Sequence, residues 1–269
     1  MYDLAAREGP EAAGLYYEVH GRDDAPPLIL SSGLGGSADY WQPNLRAFAA
    51  HFRTIVYDHR GTGRSDRTLP EELTVAHLAA DIVTLMDALD LPKAHVVGHA
   101  AGGVAGLSLA LTAPQRLAKL VVVNGWTKPD PHFLRCFATR LALLRDSGPE
   151  AYVRAQPIFL YPASWISEHH AALEAELPHQ LDAFPGRETM EKRIAALAAF
   201  DISNWLRDLP AGLLALAAKD DMLVPHTASE AFEAVPGAAL AWMGWGGHAC
   251  NVTDPGTFNL LVLDFLRGK

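Results

Sequence analysis

The sequence predicts an α/β fold: a mostly parallel sheet with helices on both faces and a helical insert between two strands. Three observations carry this. Short apolar runs alternate with stretches of helical periodicity through the first 124 residues, the pattern of strands joined by crossover helices. That rhythm stops after Asn124, and to about Trp205 only helical patterns follow. It resumes at residues 213–217 and 239–243. The expected division is a core of residues 1–124 and 206–269 and a helical cap of residues 125–205.

Residues 15–20 and 27–32 read as the first strands. The second runs straight into Gly33-Leu34-Gly35-Gly36, a tight turn. Residues 54–57 form a short buried strand ending at Asp58. Over residues 74–91 the apolar positions Val75, Leu78, Ile82, Leu85, Met86 and Leu89 recur at threes and fours, the period of a helix with one buried face. His95-Val96-Val97 is a strand. Residues 103–112 form a helix of small side chains stopped by Pro114, and residues 117–123 the next strand. Asp254-Pro255 reads as an N-cap with proline at the first helical position, opening a last helix through Leu266.

Composition bounds the function. The 269 residues suffice for one sizeable core. The net charge of -9 argues against nucleic acid and anionic membrane surfaces as partners. Two cysteines, Cys136 and Cys250, are too few for a disulfide framework. The start, Met1-Tyr2-Asp3-Leu4, lacks the basic and apolar regions of a signal peptide, and no apolar run reaches the ~18 residues of a membrane span. A cytoplasmic location, a small-molecule substrate, and neither cofactor nor metal are expected. His169 and His170 are adjacent, so they cannot face one metal from one side of a helix. Oligomeric state is not fixed: the insert either closes a pocket or forms a homodimer interface.

Chemistry is concentrated in four motifs. Gly98-His99-Ala100-Ala101-Gly102 lies between a strand and a helix, where glycines on either side permit a strained turn. It has the form G-x-S-x-G with Ala100 at the serine position. A dinucleotide loop is the competing reading, but G-x-G-x-x-G is absent. The other three are the loop of residues 58–65 (D-x-R-G-x-G-x-S), Ser32-Gly33-Leu34-Gly35, and residues 218–225 with Asp221 at an acid position. Gly247-His248 then precedes the final helix. Elbow, acid and histidine in this order resemble the α/β-hydrolases. Asp220 competes with Asp221 for the acid role, and Ala218 departs from the glycine usual in that segment.

The resemblance is narrower still. Val123-Asn124-Gly125-Trp126, Arg135-Cys136-Phe137, Gln156-Pro157, Phe159-Leu160-Tyr161-Pro162 and the stretch 246–255 are similar to the RutD family, α/β-hydrolases of a pathway degrading uracil and related pyrimidines. Its members resembling this chain share the G-H-A-x-G elbow, which implies that Ala100 is native. The resemblance implies hydrolysis of carbamate or of aminoacrylate. Removing serine from a serine hydrolase leaves only roughly 10³–10⁴ of rate over water, so a labile substrate is expected.

The expected roles follow. His248 is the base or acid, and Asp221 holds its tautomer. The N–H groups of Leu34 and Ala101 form an oxyanion hole, a role needing no side chain. Trp126, Arg135, Tyr161 and Trp165 are candidate pocket residues, Arg135 for a carboxylate. Packing within the cap is the plain alternative for each. His99, Asp58 and Arg60 read as scaffold and Cys250 as a buried thiol. The rival class is a non-catalytic binder of small carboxylates on the same fold.

Overall fold

The computed structural model describes residues 7–8 and 13–268. The run Met1-Tyr2-Asp3-Leu4 lies outside the described residues. Among the described residues eight strands form one sheet: β1 (Arg7–Glu8), β2 (Tyr17–His20), β3 (Pro27–Ser31), β4 (Arg53–Tyr57), β5 (Ala94–His99), β6 (Leu117–Val123), β7 (Leu213–Ala218) and β8 (Ala239–Met243). Their spatial order is β1-β2-β4-β3-β5-β6-β7-β8. The β1–β2 and β2–β4 pairs are antiparallel and the remaining pairs parallel.

The central strands are apolar at nearly every position because both faces are covered, as parallel sheets require. Successive side chains alternate between faces. Ile29, Ile55, Val96 and Val122 pack with α2 (Val75–Ala88) and α3 (Ala101–Thr112). Leu28, Leu30, Val97, Val121 and Val123 pack with α1 (Gln42–Ala49) and the C-terminal helix. Helix α1 was not anticipated from the sequence: its apolar positions are few, and only Leu45, Phe48 and Ala49 among its apolar side chains are buried.

Helix α2 starts on a capping box between Thr74 and His77 and stops at Ala88, short of the expected Leu91. Asp90 there takes φ +54°, which an α-helix does not allow. Helix α3 begins at Ala101, two residues earlier than expected, directly after the elbow.

Between β6 and β7 only helices occur: α4 (Pro131–Ala142), a π-helical turn (Leu143–Ser147), α5 (Gly148–Leu160), α6 (Ala163–Glu168), α7 (His170–Asp182), α8 (Arg187–Ala198) and a 3-10 turn (Leu206–Asp208). They hold a small core of their own, made of Leu144, Tyr152, Val153, Leu177 and Met190, against which Leu34 packs. After β7 come α9 (Thr227–Glu230), β8, α10 (Cys250–Thr253) and α11 (Pro255–Arg267). Asp254 caps α11 by accepting from the Thr257 N–H at 3.1 Å. No helix among the described residues is long and apolar enough to cross a membrane.

The chain leaves β3 for β4 on one side and returns through α2 to β5 on the other. The loops after β3 and β5 therefore diverge, leaving a crevice at the strands' C-terminal ends, where ligands of open α/β sheets bind.

Candidate active site

Ala100 sits at the tip of β5 with φ 46° and ψ -104°. This is a costly conformation for a residue with a Cβ. It is held on both sides: the Ala100 N–H donates to the Val123 carbonyl at 2.8 Å, and its carbonyl accepts from Val104 at 2.9 Å. The flanking glycines are required by space. A Cβ on Gly98 would lie 2.3 Å from Gly102 backbone, and one on Gly102 would lie 2.1 Å from the Ser31 carbonyl oxygen. The turn therefore has the strained form of a nucleophile elbow while presenting a methyl group.

His248 lies in the loop after β8, and its Nδ1 is 2.7 Å from Asp221 Oδ2. Both side chains are buried. The other carboxylate oxygen, Oδ1, accepts from the N–H groups of Leu223 at 2.8 Å and Val224 at 2.9 Å. Four electron pairs on the acid thus meet three donors, which fixes it as a carboxylate acceptor for a proton on Nδ1. The tautomer leaves a lone pair on Nε2, which has no protein partner among the described residues, and His248 lines the main cavity.

Asp220 is separated from Asp221 by function as well as by one position. It accepts from the N–H groups of Gly246 at 3.3 Å and Gly247 at 2.9 Å, so it shapes the loop that carries His248. Asn124 completes this frame. With φ 48° at the end of β6, its amide donates to the carbonyls of His248 at 2.6 Å and Gly247 at 3.3 Å. Its oxygen accepts from Ala218 at 2.9 Å. Asn124 has no role in the reading of the sequence beyond its place in a matched stretch; an asparagine directly after a strand, tolerant of positive φ, is the signal that marks it.

Leu34 and Ala101 also line the cavity. Neither backbone N–H donates to a protein acceptor among the described residues. Ala101 is the first residue of α3, whose N-terminal amides and dipole favour negative charge. Two free amides, one from each side of the crevice, thus border the cavity.

His99 packs beside this corner. Its Nε2 donates to the His248 carbonyl at 2.8 Å, and its ring stacks on Tyr40. Burial pulls its pKa well below the usual histidine value, with His248 adding to the effect. Cys250 is fully buried, and burial pushes its thiol up. Asp58 is buried and held by Arg64 and by the N–H groups of Arg64 and Ala38. Arg60 pairs with Asp81 at 2.9 Å. Among the described residues no cluster of three or more His, Cys, Asp or Glu could hold a metal.

The cavity has a volume of about 700 Å³ and lies between the core loops and the helical insert. Trp126 is in its wall. Three other expectations need correction. Arg135 is exposed on α4 and does not line the cavity; Arg140, on the same helix, does. Five residues rotate a helix by about 140° past one full turn, so the two arginines point to different sides. Tyr161 and Trp165 do not line the cavity either. Their rings contact each other at 4.4 Å, and Trp165 stacks on His169 at 4.0 Å. The chain leaves the cavity wall at Leu160, where α5 ends, and this aromatic group packs beyond it.

Comparison with known proteins gives the same frame. The family model described as alpha/beta hydrolase fold matches residues 26–248. A protein of Caulobacter vibrioides (strain NA1000 / CB15N) named "Putative carbamate hydrolase RutD" is 57% identical over 258 residues, covering 95% of this chain and 96% of its own. One of the same name from Agrobacterium fabrum is 46% identical, covering 94% and 98%. Among solved structures, a hydrolase from Pseudomonas aeruginosa superposes with TM-score 0.85 at 27% identity, covering 98% of each chain. A serine-to-alanine mutant of the meta-cleavage product hydrolase CumD from Pseudomonas fluorescens, complexed with acetates, gives TM-score 0.80 at 26% identity, covering 97% of this chain and 98% of that one.

Proposed function

The chain belongs to the RutD family of α/β hydrolases, and from that premise we propose that it hydrolyses carbamate to ammonia and bicarbonate in pyrimidine (uracil) catabolism. The observation that carries this reading is an Asp221-held imidazole with Nε2 open to a cavity bordered by two free amides, with no nucleophile at Ala100. The family name borne by its relatives supports the substrate.

The chemistry follows from those groups. His248 Nε2 accepts a proton from water, whose oxygen attacks the carbamate carbon. The developing oxyanion is stabilised by the Leu34 and Ala101 amides. The imidazolium, supported by Asp221, returns the proton to nitrogen. The C–N bond breaks and ammonia leaves, so that carbamate and water give ammonia and bicarbonate. Without a serine, no acyl-enzyme forms, and the substrate's own lability supplies what the missing nucleophile does not.

A second reading is hydrolysis of aminoacrylate to malonic semialdehyde and ammonia. It is favoured by the cavity, whose volume of about 700 Å³ falls in the range of sites for ligands far larger than a single-carbon anion. Its walls include Trp126, Phe133, Phe137 and Leu160. The rival class is a binder without turnover. Asp221 and His248 support catalysis over it, because binding alone needs no tautomer-fixed imidazole.

The test follows ammonia release from fresh carbamate and from aminoacrylate side by side, with wild type, His248→Ala and buffer. Acceleration lost in His248→Ala is the expected result. If neither substrate is consumed faster than in buffer, or the variant matches wild type, the catalytic reading fails.

A further inference from the structure

Arg140 is 3% exposed, and no carboxylate among the described residues is paired with it. A guanidinium carries five donors and is not neutralised in proteins. Here Nη2 donates to the Tyr152 hydroxyl at 3.0 Å and to Gln156 Oε1. Nε is buried without an acceptor, and Nη1 has no protein acceptor among the described residues. The rings of Phe137, Tyr152 and Phe159 lie 5.3, 5.4 and 5.6 Å from its carbon centre. They soften the cost of burial without supplying a counter-charge.

A buried charge is ordinarily paired. The neighbouring charged groups show the contrast. Asp58, which lines the same cavity, is met by Arg64. Glu176 reaches the cavity from α7 but is exposed and makes no ion pair with Arg140. Arg140 thus holds an uncompensated positive charge in a stretch of cavity wall shared with Phe133, Phe137 and Tyr152, steadied by two neutral oxygens; Arg64 and Arg67, which also line the cavity, are not buried as Arg140 is.

We propose that Arg140 is the carboxylate-binding residue of this cavity, and that the ligand it takes is a small aliphatic monocarboxylate. The proposal rests on the second reading above, hydrolysis of a small enamine acid, because the only carbon of carbamate is its carboxylate and cannot meet both walls. It deepens that reading by giving the two walls different tasks. The insert wall, through Arg140, holds the carboxylate. The core wall, through His248 and the two amides, faces the reacting carbon. A short acid carrying an enamine or amide group away from its carboxylate meets both. Tyr152 and Gln156 orient the guanidinium.

The experiment measures binding without turnover. Wild-type protein is titrated with acetate and propionate, and with acetamide and propionamide, at constant ionic strength, following intrinsic tryptophan fluorescence, to which Trp126 in the cavity wall contributes, and the melting temperature. The acids bind about tenfold or more tightly than the amides, as a charge-assisted contact requires. Arg140→Gln removes the preference, and Arg140→Lys restores part of it. Equal binding of acid and amide overturns the proposal, as does binding of neither, or a folded Arg140→Gln protein that still prefers the acids. The wild-type comparison stands even if Arg140→Gln does not fold. Acid-selective binding with no accelerated ammonia release keeps the subsite and rejects the reaction; accelerated release with no acid selectivity does the reverse.

Discussion

Arg193 of α8 donates from Nε to the carbonyl oxygen of Leu34 at 3.0 Å, tying the helical insert to the turn that supplies one of the two free amides. The same guanidinium donates to His59 Nδ1 at 2.9 Å, leaving His59 Nε2 to donate to Ser31 Oγ at 3.1 Å. Burial pulls the Arg193 pKa down to about 10, so it remains a cation at neutral pH. Arg193→Met leaves the Leu34 carbonyl and His59 Nδ1 without a donor. At about 1–3 kcal/mol for each buried group so stranded, stability falls by roughly 2–6 kcal/mol. Urea unfolding of the variant beside wild type reads this directly; a change under about 0.5 kcal/mol would mean the contact does not hold the turn.

Ala100 is an elbow without a nucleophile, and the elbow's geometry is independent of the missing hydroxyl. Ala100→Ser places an Oγ on the strained tip that already lies between His248 and the amides. Hydrolysis of a small activated acetyl ester is expected to rise roughly 10²-fold, with an acetylated protein visible by mass spectrometry. Absence of both would show that Nε2 does not reach residue 100.

Glycines of the elbow and of the turn after β3 divide by what surrounds them. Gly102→Ala forces a methyl against the Ser31 carbonyl and is expected to cost about 3 kcal/mol or to prevent folding. Gly35 has no heavy atom within 4 Å of where a Cβ would stand, so Gly35→Ala is expected to stay within about 0.5 kcal/mol of wild type. Thermal melts of the two variants should separate clearly, and similar melting temperatures would contradict the packing.

His59 and His99 are buried and held neutral, their pKa values lowered chiefly by desolvation. The unfolded chain takes up protons at these residues near pH 6.5, while the folded chain does not until far lower pH. More protons bound by the unfolded state means stability falls as pH falls. Their contribution is therefore complete above about pH 6.5 and declines below it, by up to about 1.4 kcal/mol per pH unit for each. Unfolding free energies between pH 7.5 and 5.5 test this; a flat profile would show that one or both protonate within the folded state.

Asp221→Asn and Asp220→Asn should behave differently although the residues are adjacent. The first replaces the acceptor of the His248 Nδ1 proton and favours the wrong tautomer, so it removes most of the acceleration while leaving stability near wild type. The second weakens two backbone contacts to the His248 loop, lowering stability by about 1 kcal/mol with a smaller loss of rate. Ammonia-release assays and melts on both proteins give the comparison, and equal rate losses would assign no separate roles.

The strands, the elbow, the acid and the histidine were legible in the sequence because each is local. Apolar runs such as Leu28-Ile29-Leu30 encode burial on both faces, and Gly98, Ala100 and Gly102 encode a turn only small residues allow. Asp221 rather than Asp220 followed from the spacing to Val224-Pro225, and it is Asp221 Oδ2 that lies 2.7 Å from His248 Nδ1. Tertiary structure alone decided the rest. Arg140 shares the buried face of α4 with Phe133, Cys136 and Phe137 while Arg135 lies off it; the spacing shows that face, but only the fold shows that it borders the cavity. Asn124 and Arg193 act by reaching residues 124 and 159 positions away in the chain. The sequence of itself determined which residues could perform the chemistry; packing between insert and core determined which charge was left without a partner, because a side chain's partners are set by the elements that close over it.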